Sequence, residues 1–295
     1  MSRPCLPPHD AVERVQFDVP ARACDSHVHI FGPGDRYPLA AERSYTPPEN
    51  PCERLLKHLD AIGFERGVIV TASAYGTDNR SMLDALAAHP GRLRGVAVAD
   101  ADTAADTLRT WRRAGVCGLR FNLYAVGGAK VYKNGVGLEA LEALAPAMRE
   151  LDMHAQIWIH APDLTDLAPR LDKLEVPLVV DHMGRMNASL GTGDPGFQQL
   201  CRMLASGRAW TKISGADRNT NQRDDYRDID PYVRALIAAN PERIVWGTDW
   251  PHINYFEAGA VPNDGTLLNT LYRWLPDSGL RNRILVDNPA RLYRF

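Results

Sequence analysis

Histidine and aspartate side chains recur at the ends of short apolar segments in this sequence. His27 and His29 are two residues apart in DSHVHI, while His182 and Asp249 end the segments VVDH and IVWGTD. Side chains alternate between the faces of a strand, so a strand at this position points His27 and His29 the same way. Two neutral imidazoles on one face are half of a divalent-metal site, although an isolated pair is more often held by local hydrogen bonds.

The apolar segments that carry these residues repeat along the chain. They cover residues 22–29, 67–72, 93–99, 116–122, 154–160, 177–182, 210–214 and 243–249. Between them lie amphipathic segments with helical spacing, at residues 53–62, 80–89, 104–114, 138–151 and 231–239. Alternating strands and helices predict an α/β fold with a parallel sheet. Eight repeats favour closure into a (β/α)8 TIM barrel, and the first segment is not followed by the glycine-rich phosphate loop of an open dinucleotide-binding sheet.

In such a barrel the histidines and the aspartate lie at the carboxyl ends of the strands, where barrel enzymes keep their catalytic groups. His160 ends the fifth segment, two residues beyond Trp158 and therefore on the same face. A cluster of His27, His29, His160 and Asp249 suits one divalent metal, and imidazole with carboxylate suits zinc best. A proton-transfer site without a metal is also consistent with these residues.

Length and composition limit the classes of protein. A barrel of ~250 residues uses nearly the whole chain of 295, which predicts one domain over residues 1–295 with residues 1–21 as an N-terminal lead-in. A net charge of −2 provides no global field for nucleic acid or a membrane surface. Five scattered cysteines do not predict a disulfide framework, and no segment has the length of a membrane span. We expect a cytoplasmic protein that does not bind nucleic acid or membranes, with a homo-oligomer left open.

Taken together, the motifs resemble the amidohydrolase superfamily, in its amidohydrolase-2 branch. The resemblance runs from ACDSHVHIFGPG through GLRFN, VVDHMGR and TKISGADR to IVWGTDWPH and DNPARLY. Within that branch the sequence is most similar to the 2-pyrone-4,6-dicarboxylate lactonases and 4-sulfomuconolactone hydrolases. The resemblance implies that Asp249 is the general base that takes a proton from water. It implies that His182 polarises the carbonyl group or stabilises the oxyanion.

The resemblance also predicts contacts to the substrate. Neutral hydrogen-bond donors of the family correspond to Tyr45, Ser73 and Tyr75, and His252 is a further predicted contact in the GTDWPH segment.

Arginines at three strand ends predict an anionic substrate. Arg120 lies at the end of the fourth segment, and Arg185 and Arg218 follow the sixth and seventh segments. One arginine is more often part of a surface salt bridge, but three at the same rim suit carboxylate or sulfonate oxygens. The pyrone lactonases carry another arginine shortly after the RFN motif. This chain has none there, and Lys130 and Lys133 are the candidate replacements.

These observations predict an enzyme that hydrolyses a small anionic lactone, of the sulfonated or carboxylated muconolactone or pyrone type, in aromatic-compound catabolism. The alternative is a metal-dependent non-oxidative decarboxylase of an aromatic acid, since similar motifs serve that reaction on the same barrel. A barrel that binds a ligand without catalysis is a third class. The intact aspartate and histidines argue against it.

Overall fold

Eight parallel strands form the centre of the computed structural model, which describes residues 2–126, 129–222 and 225–295. The strands are β1 Cys24–Val28, β2 Arg66–Val70, β3 Leu93–Ala97, β4 Val116–Asn122, β5 His154–Trp158, β6 Leu178–Val180, β7 Ala209–Lys212 and β8 Ile244–Val245. Each strand pairs with its neighbour in sequence, from β1 through to β8. Each of the eight predicted segments overlaps one of these strands, and the predicted (β/α)8 barrel is confirmed.

Hydrogen bonds between β1 and the residues that follow β8 close the sheet into a barrel. The backbone N–H of Ser26 donates to the carbonyl oxygen of Trp246 at 2.9 Å, and that of Asp249 donates to His27 at 2.9 Å. The buried carboxylate of Asp25 accepts from the backbone N–H of Thr248 at 3.0 Å and from its hydroxyl at 2.6 Å. Gly247 allows this approach, because a Cβ there would lie only 2.5 Å from the backbone nitrogen of His27.

Helices cover the outside of the strands and bury their apolar faces against them. In the described residues they are α1 Cys52–Ala61, α2 Arg80–Ala88, α3 Ala105–Arg113, α4 Leu138–Glu150, α5 Leu164–Asp172, α6 Pro195–Ala205, α7 Ala216–Asn219, α8 Asp230–Ala239, α9 Asp264–Trp274, α10 Ser278–Asn282 and α11 Asn288–Tyr293. On α4, for example, Leu141, Leu144 and Met148 are buried at a spacing of three to four residues. Among the helices that the structure describes, none combines the length and the apolar character needed to cross a membrane.

The amino end of the barrel is closed by the last helix. Tyr293 of α11 is fully buried and packs with apolar side chains that point down from β1 to β4, namely Cys24, Val68, Val70, Val96 and Cys117. The thiol of Cys117 contacts the carbonyl oxygen of Tyr293 at 3.0 Å. Side chains of the described residues therefore fill this end of the barrel, and the cavity described below opens at the carboxyl end of the strands.

The carboxyl end is bordered by short paired segments. Arg3–Pro4 pairs in parallel with Tyr45–Thr46, and the backbone N–H of Leu6 donates to Tyr255 at 2.8 Å. The predicted N-terminal lead-in is therefore attached to the loops that follow β1 and β8. Ala125–Val126 and Ala129–Lys130 form a second, antiparallel pair in the loop after β4.

Candidate active site

Three of the predicted site residues follow their strands, whereas His27 lies within β1. His29, His182 and Asp249 come one, two and four residues after the last residues of β1, β6 and β8. His182 and Asp249 have left-handed backbone conformations, with φ of 50° and 65°. Non-glycine residues adopt this region at a cost in energy, and such residues concentrate at functional sites. These turns aim both side chains into the mouth of the barrel.

Three imidazoles converge on one oxygen of Asp249. Its Oδ1 lies 3.4 Å from Nε2 of His29, 3.7 Å from Nε2 of His27 and 3.9 Å from Nε2 of His182. The rings of His27 and His182 are 4.6 Å apart between centroids, and all four residues are buried. The structure thus brings together the four residues that the sequence places at separate strand ends.

The other carboxylate oxygen of Asp249 is occupied by Arg218. Nε of Arg218 donates to Oδ2 of Asp249 at 2.9 Å, and its Nη2 donates to the carbonyl oxygen of Ile253 at 2.8 Å. Burial raises the pKa of Asp249, but Arg218 and the nearby histidines outweigh burial and hold this pKa well below its usual range. The carboxylate is therefore ionised at neutral pH.

Two histidines of the cluster, His27 and His182, are neutral under the same conditions. Burial lowers the pKa of His182 to about 4, although the Asp249 carboxylate opposes this shift. Burial and the Lys212 ammonium hold the pKa of His27 well below its usual value. Nδ1 of His29 lies 2.7 Å from the carbonyl oxygen of Val70, which can only accept. Nδ1 of His29 therefore carries a proton, and its Nε2 is the ring nitrogen that faces Asp249.

The cluster has the donor set of a metal site. Potential ligand atoms of His27, His29 and Asp249 all lie within 4.8 Å of one another, and a second such group contains His27, Asp181 and His182. Nε2 of His27 is buried without a hydrogen-bond partner among the described residues. Ligands of a tetrahedral zinc ion, each about 2.0–2.2 Å from the metal, lie roughly 3.3–3.6 Å apart. Oδ1 of Asp249 is 3.4 and 3.7 Å from the two imidazole nitrogens, so this set fits zinc.

A cavity of about 350 Å³ opens above the cluster. Its described lining contains His29, Ser44, Arg120, Tyr124, Val131, Tyr132, Trp158, His182, Arg185, Arg218, Asp249, Ile253, Asn254 and Phe256. All three predicted arginines are present. Nε of Arg120 and Nε of Arg185 are buried without a hydrogen-bond partner in the described part of the chain. The cavity therefore combines flat aromatic walls with guanidinium groups that can still bind an anion.

The structure does not bring His160 or His252 to this cluster. The ring of His160 packs against Tyr124, with 5.5 Å between ring centroids, and it belongs to neither group of potential ligands among the described residues. His252 is fully buried behind the cavity lining. Its Nε2 lies 3.0 Å from Oδ1 of Asp264, because the left-handed turn at His252 directs its ring away from the mouth.

The predicted neutral donors are not among the described residues that line the cavity. Tyr45 is fully buried, and its hydroxyl accepts from Ser73 at 3.4 Å. The hydroxyl of Tyr75 accepts from the backbone N–H of Gly32 at 3.0 Å. Of the two candidate lysines, Lys133 is exposed and pairs with Glu42 at 3.3 Å. The side chain of Lys130 is outside the described part of the chain.

Sequence reasoning missed a buried polar layer beneath the histidines, formed by Gln156, Asp181 and Lys212. All three are fully buried, and Lys212 has a pKa lowered by burial to about 8. Lys212 lies within the apolar segment WTKIS, and a lysine in a central strand is a signal that could have found it. The aromatic walls Tyr124 and Tyr132 gave no such signal, since they come from the loop after β4.

Fold and site together define a barrel enzyme with a histidine–aspartate centre at its carboxyl mouth. The sequence pattern of the family described as Amidohydrolase matches residues 24–295, and the chain belongs to this family. This match confirms the family that the motifs resemble, and with it the prediction of a hydrolase.

Individual relatives match along nearly their whole length. A 4-sulfomuconolactone hydrolase of Hydrogenophaga intermedia is 35% identical over 293 residues, which cover 99% of this chain and 95% of that protein. A 2-pyrone-4,6-dicarboxylate hydrolase of Comamonas testosteroni is 35% identical, with 94% and 92% covered. The apo crystal structure of an Agrobacterium tumefaciens protein superposes with a TM-score of 0.83 at 28% identity, covering 96% of this chain and 99% of that one.

Proposed function

We propose that this enzyme hydrolyses a small anionic lactone, of the sulfonated or carboxylated muconolactone or pyrone type, in the breakdown of aromatic compounds. One observation carries the proposal. A single cavity is lined by the ionised Asp249, by His29 and His182, and by arginines whose Nε atoms have no hydrogen-bond partner in the described residues. The activities named for the two curated relatives support the same class of substrate.

Asp249 acts as the general base through Oδ1, the oxygen that Arg218 does not occupy. It removes a proton from a water molecule as the water oxygen bonds to the lactone carbonyl carbon. When the ring C–O bond breaks, the same proton passes to the leaving oxygen, which yields the open hydroxy acid or its keto tautomer. Because the pKa of Asp249 is low, Asp249 is a weak base, and this step requires a water molecule that is itself made more acidic.

His182 stabilises the oxyanion of the tetrahedral intermediate. Its Nδ1 lies 2.9 Å from the hydroxyl of Ser214. When Ser214 donates to Nδ1, the proton of the neutral ring is on Nε2, which faces the cavity and can donate to the carbonyl oxygen. The low pKa of His182 keeps the ring in this neutral form.

His27, His29 and Asp249 would hold one divalent metal, and we propose zinc. When bound, zinc supplies Lewis acidity and lowers the pKa of its water. His160 is left out of this ligand set, because its ring lies against Tyr124. Elemental analysis of the purified protein tests the metal, and activity that persists after complete metal removal by a chelator contradicts it.

Arg120 and Arg185 provide the anion contacts of the substrate, since Arg218 already donates to Asp249 and Ile253. A buried guanidinium left without its anion is poorly solvated, and neutral analogues are therefore rejected.

The deciding experiment measures kcat/KM for three lactones side by side: a sulfomuconolactone, 2-pyrone-4,6-dicarboxylate and a neutral lactone. We expect both anionic lactones to exceed the neutral one, and the sulfomuconolactone to exceed the dicarboxylate. Faster turnover of the neutral lactone contradicts the anion contacts. Release of carbon dioxide from an aromatic acid, without lactone turnover, identifies the decarboxylase instead.

We also propose that the enzyme is cytoplasmic, and we leave open whether it forms a homo-oligomer. Cell fractionation tests the location, and light scattering of the purified protein tests the oligomer.

A further inference from the structure

The buried polar layer beneath the site has no role in the reaction described above. Gln156 is on β5, Asp181 follows β6 and Lys212 ends β7, and each is fully buried. None of the three is among the described residues that line the cavity. Any effect of these side chains on the reaction is therefore indirect and acts through another residue.

Lys212 contacts three groups in this layer. Its Nζ lies 2.8 Å from Oε1 of Gln156, 3.2 Å from Oδ1 of Asp181 and 3.1 Å from Nδ1 of His27. Nε2 of Gln156 in turn donates to Oδ2 of Asp181 at 3.1 Å. An ammonium group only donates and a carboxylate only accepts, so only one orientation of the Gln156 amide satisfies both contacts. Gln156 therefore links Lys212 to Asp181, whereas Nδ1 of His27 faces both a donor, Lys212, and an acceptor, Asp181.

Asp181 links this layer to the histidine cluster. Its Oδ1 lies 3.3 Å from Nδ1 of His27, at the side of the ring opposite to the unpartnered Nε2. In the tautomer with the proton on Nδ1, this carboxylate favours one orientation of the ring and leaves Nε2 free to bind a metal. Arg120 is the other cation near this carboxylate, with Nε 3.7 Å from Oδ2.

We infer that Lys212 is a positioning residue that holds Asp181 against Nδ1 of His27 and so aims Nε2 of His27 at Asp249. Without the ammonium group, Asp181 loses its shortest cation contact and turns towards Arg120. His27 then loses the partner that sets its ring orientation. This inference rests on the proposed function for the identity of the metal and of the reaction, while the contacts themselves do not depend on either.

The test uses Lys212→Met, which keeps an unbranched side chain of similar length and removes the charge. Zinc affinity is measured on the metal-free protein by competition with a chromophoric chelator, and kcat and KM are measured separately. We expect zinc affinity and kcat each to fall by about 10–100-fold, the usual effect of removing such an outer contact. KM should stay within about 3-fold, because Lys212 does not border the cavity. Lys173→Met, an exposed lysine at the end of α5, is the matched control and should change neither quantity.

A second variant separates positioning from charge balance. Removing Lys212 leaves Asp181 with less compensation in the interior, which can unfold the chain. The double variant Lys212→Met/Asp181→Asn removes both charges, and we expect it to fold while keeping the loss of zinc affinity and kcat. Recovery of both quantities in the double variant overturns the inference, as does wild-type behaviour of Lys212→Met. A double variant that is also unfolded overturns it in favour of a purely structural role.

The failure of this inference can be distinguished from the failure of the proposed function. If the wild-type protein binds no zinc, the proposed metal is wrong and the separate values of kcat and KM still judge Lys212. If it turns over no lactone, the proposed reaction is wrong and the zinc titration still judges Lys212. A wild-type protein with neither property overturns both.

Discussion

Two buried clusters of histidine and aspartate lie on opposite sides of the turn that follows β8. The mouth cluster consists of His27, His29, His182 and Asp249. The rear cluster consists of His58, His252 and Asp264, with Nε2 of His252 3.0 Å from Oδ1 of Asp264 and Nε2 of His58 3.6 Å from Oδ2. The two clusters have the same residue types and similar burial.

Their surroundings differ. Asp249 of the mouth cluster borders a cavity and pairs with Arg218. In the rear cluster the ring of His58 stacks on Trp250 at 5.2 Å between centroids, and both oxygens of Asp264 face imidazoles. None of the rear-cluster residues is among the described residues that line the cavity, and the cluster instead packs against the turn that carries Asp249. Contact with a cavity, rather than the residue types, therefore distinguishes the mouth cluster from the structural rear cluster.

The largest expected effect is on the mouth cluster. Asp249→Asn keeps the shape of the side chain but cannot accept a proton. We expect kcat to fall by on the order of 10²–10⁴-fold, the contribution of a general base. Circular dichroism and thermal unfolding should match the wild-type protein apart from the loss of the Arg218 pair. Near-normal turnover would assign the base to another group.

Arg120→Met tests the proposed contact between the cavity and the anionic group of the substrate. Hydrogen bonds to charged groups contribute about 1.5–3 kcal/mol, so we expect kcat/KM for an anionic lactone to fall by roughly 10–150-fold. Turnover of a neutral lactone should change little. Arg36→Met, at an exposed arginine, is the control. An equal loss for both lactones would show that Arg120 acts on the fold rather than on the anion.

Asp264→Asn tests the rear cluster. We expect the free energy of unfolding to fall by about 1.5–3 kcal/mol, because the carboxylate contacts of His252 and His58 are lost. Values of kcat and KM should stay within about 3-fold of the wild type once the protein is folded. The measurement is denaturant unfolding followed by steady-state kinetics. A selective loss of kcat would make the rear cluster part of the reaction.

The smallest effect is a pH dependence of stability. Burial lowers the pKa of His252, but Asp264 outweighs burial and raises it above its usual 6.5. A histidine with a raised folded pKa contributes stability that is complete below the unfolded pKa and is lost as pH rises through the folded one. The difference in unfolding free energy between wild type and Asp264→Asn should therefore shrink from about pH 6 to pH 9. A difference that grows over this range contradicts the assigned charge state.

The sequence predicts the bounds of a strand best where the strand is long and pairs along its length with its neighbours. The fourth segment, residues 116–122, coincides with β4. The sixth and eighth segments extend too far, to residues 182 and 249, whereas β6 ends at Val180 and β8 at Val245. The excess residues include those with left-handed backbone that point His182 and Asp249 into the mouth. Strand periodicity cannot anticipate these turns, because tertiary contacts impose them.

Residue types at the site were predicted better than their partners. The convergence of His27, His29, His182 and Asp249 follows from barrel topology. The pairing of Arg218 with Asp249 does not, since it joins residues from different strand ends and takes up a guanidinium expected to bind substrate. His252 was expected at the substrate, but Asp264 on the next helix holds its ring.

The contact of Asp25 with Thr248 has a consequence for how the chain matures on the ribosome. It joins positions 223 residues apart, and the ring of strands cannot close before the second of them has been made. At roughly 5–20 residues per second, β1 waits about 11–45 s after its own synthesis for β8. During that interval its edge is open and its two histidines are accessible to free metal and to other strands. The order of synthesis therefore makes the reactive centre one of the last parts of the molecule to form.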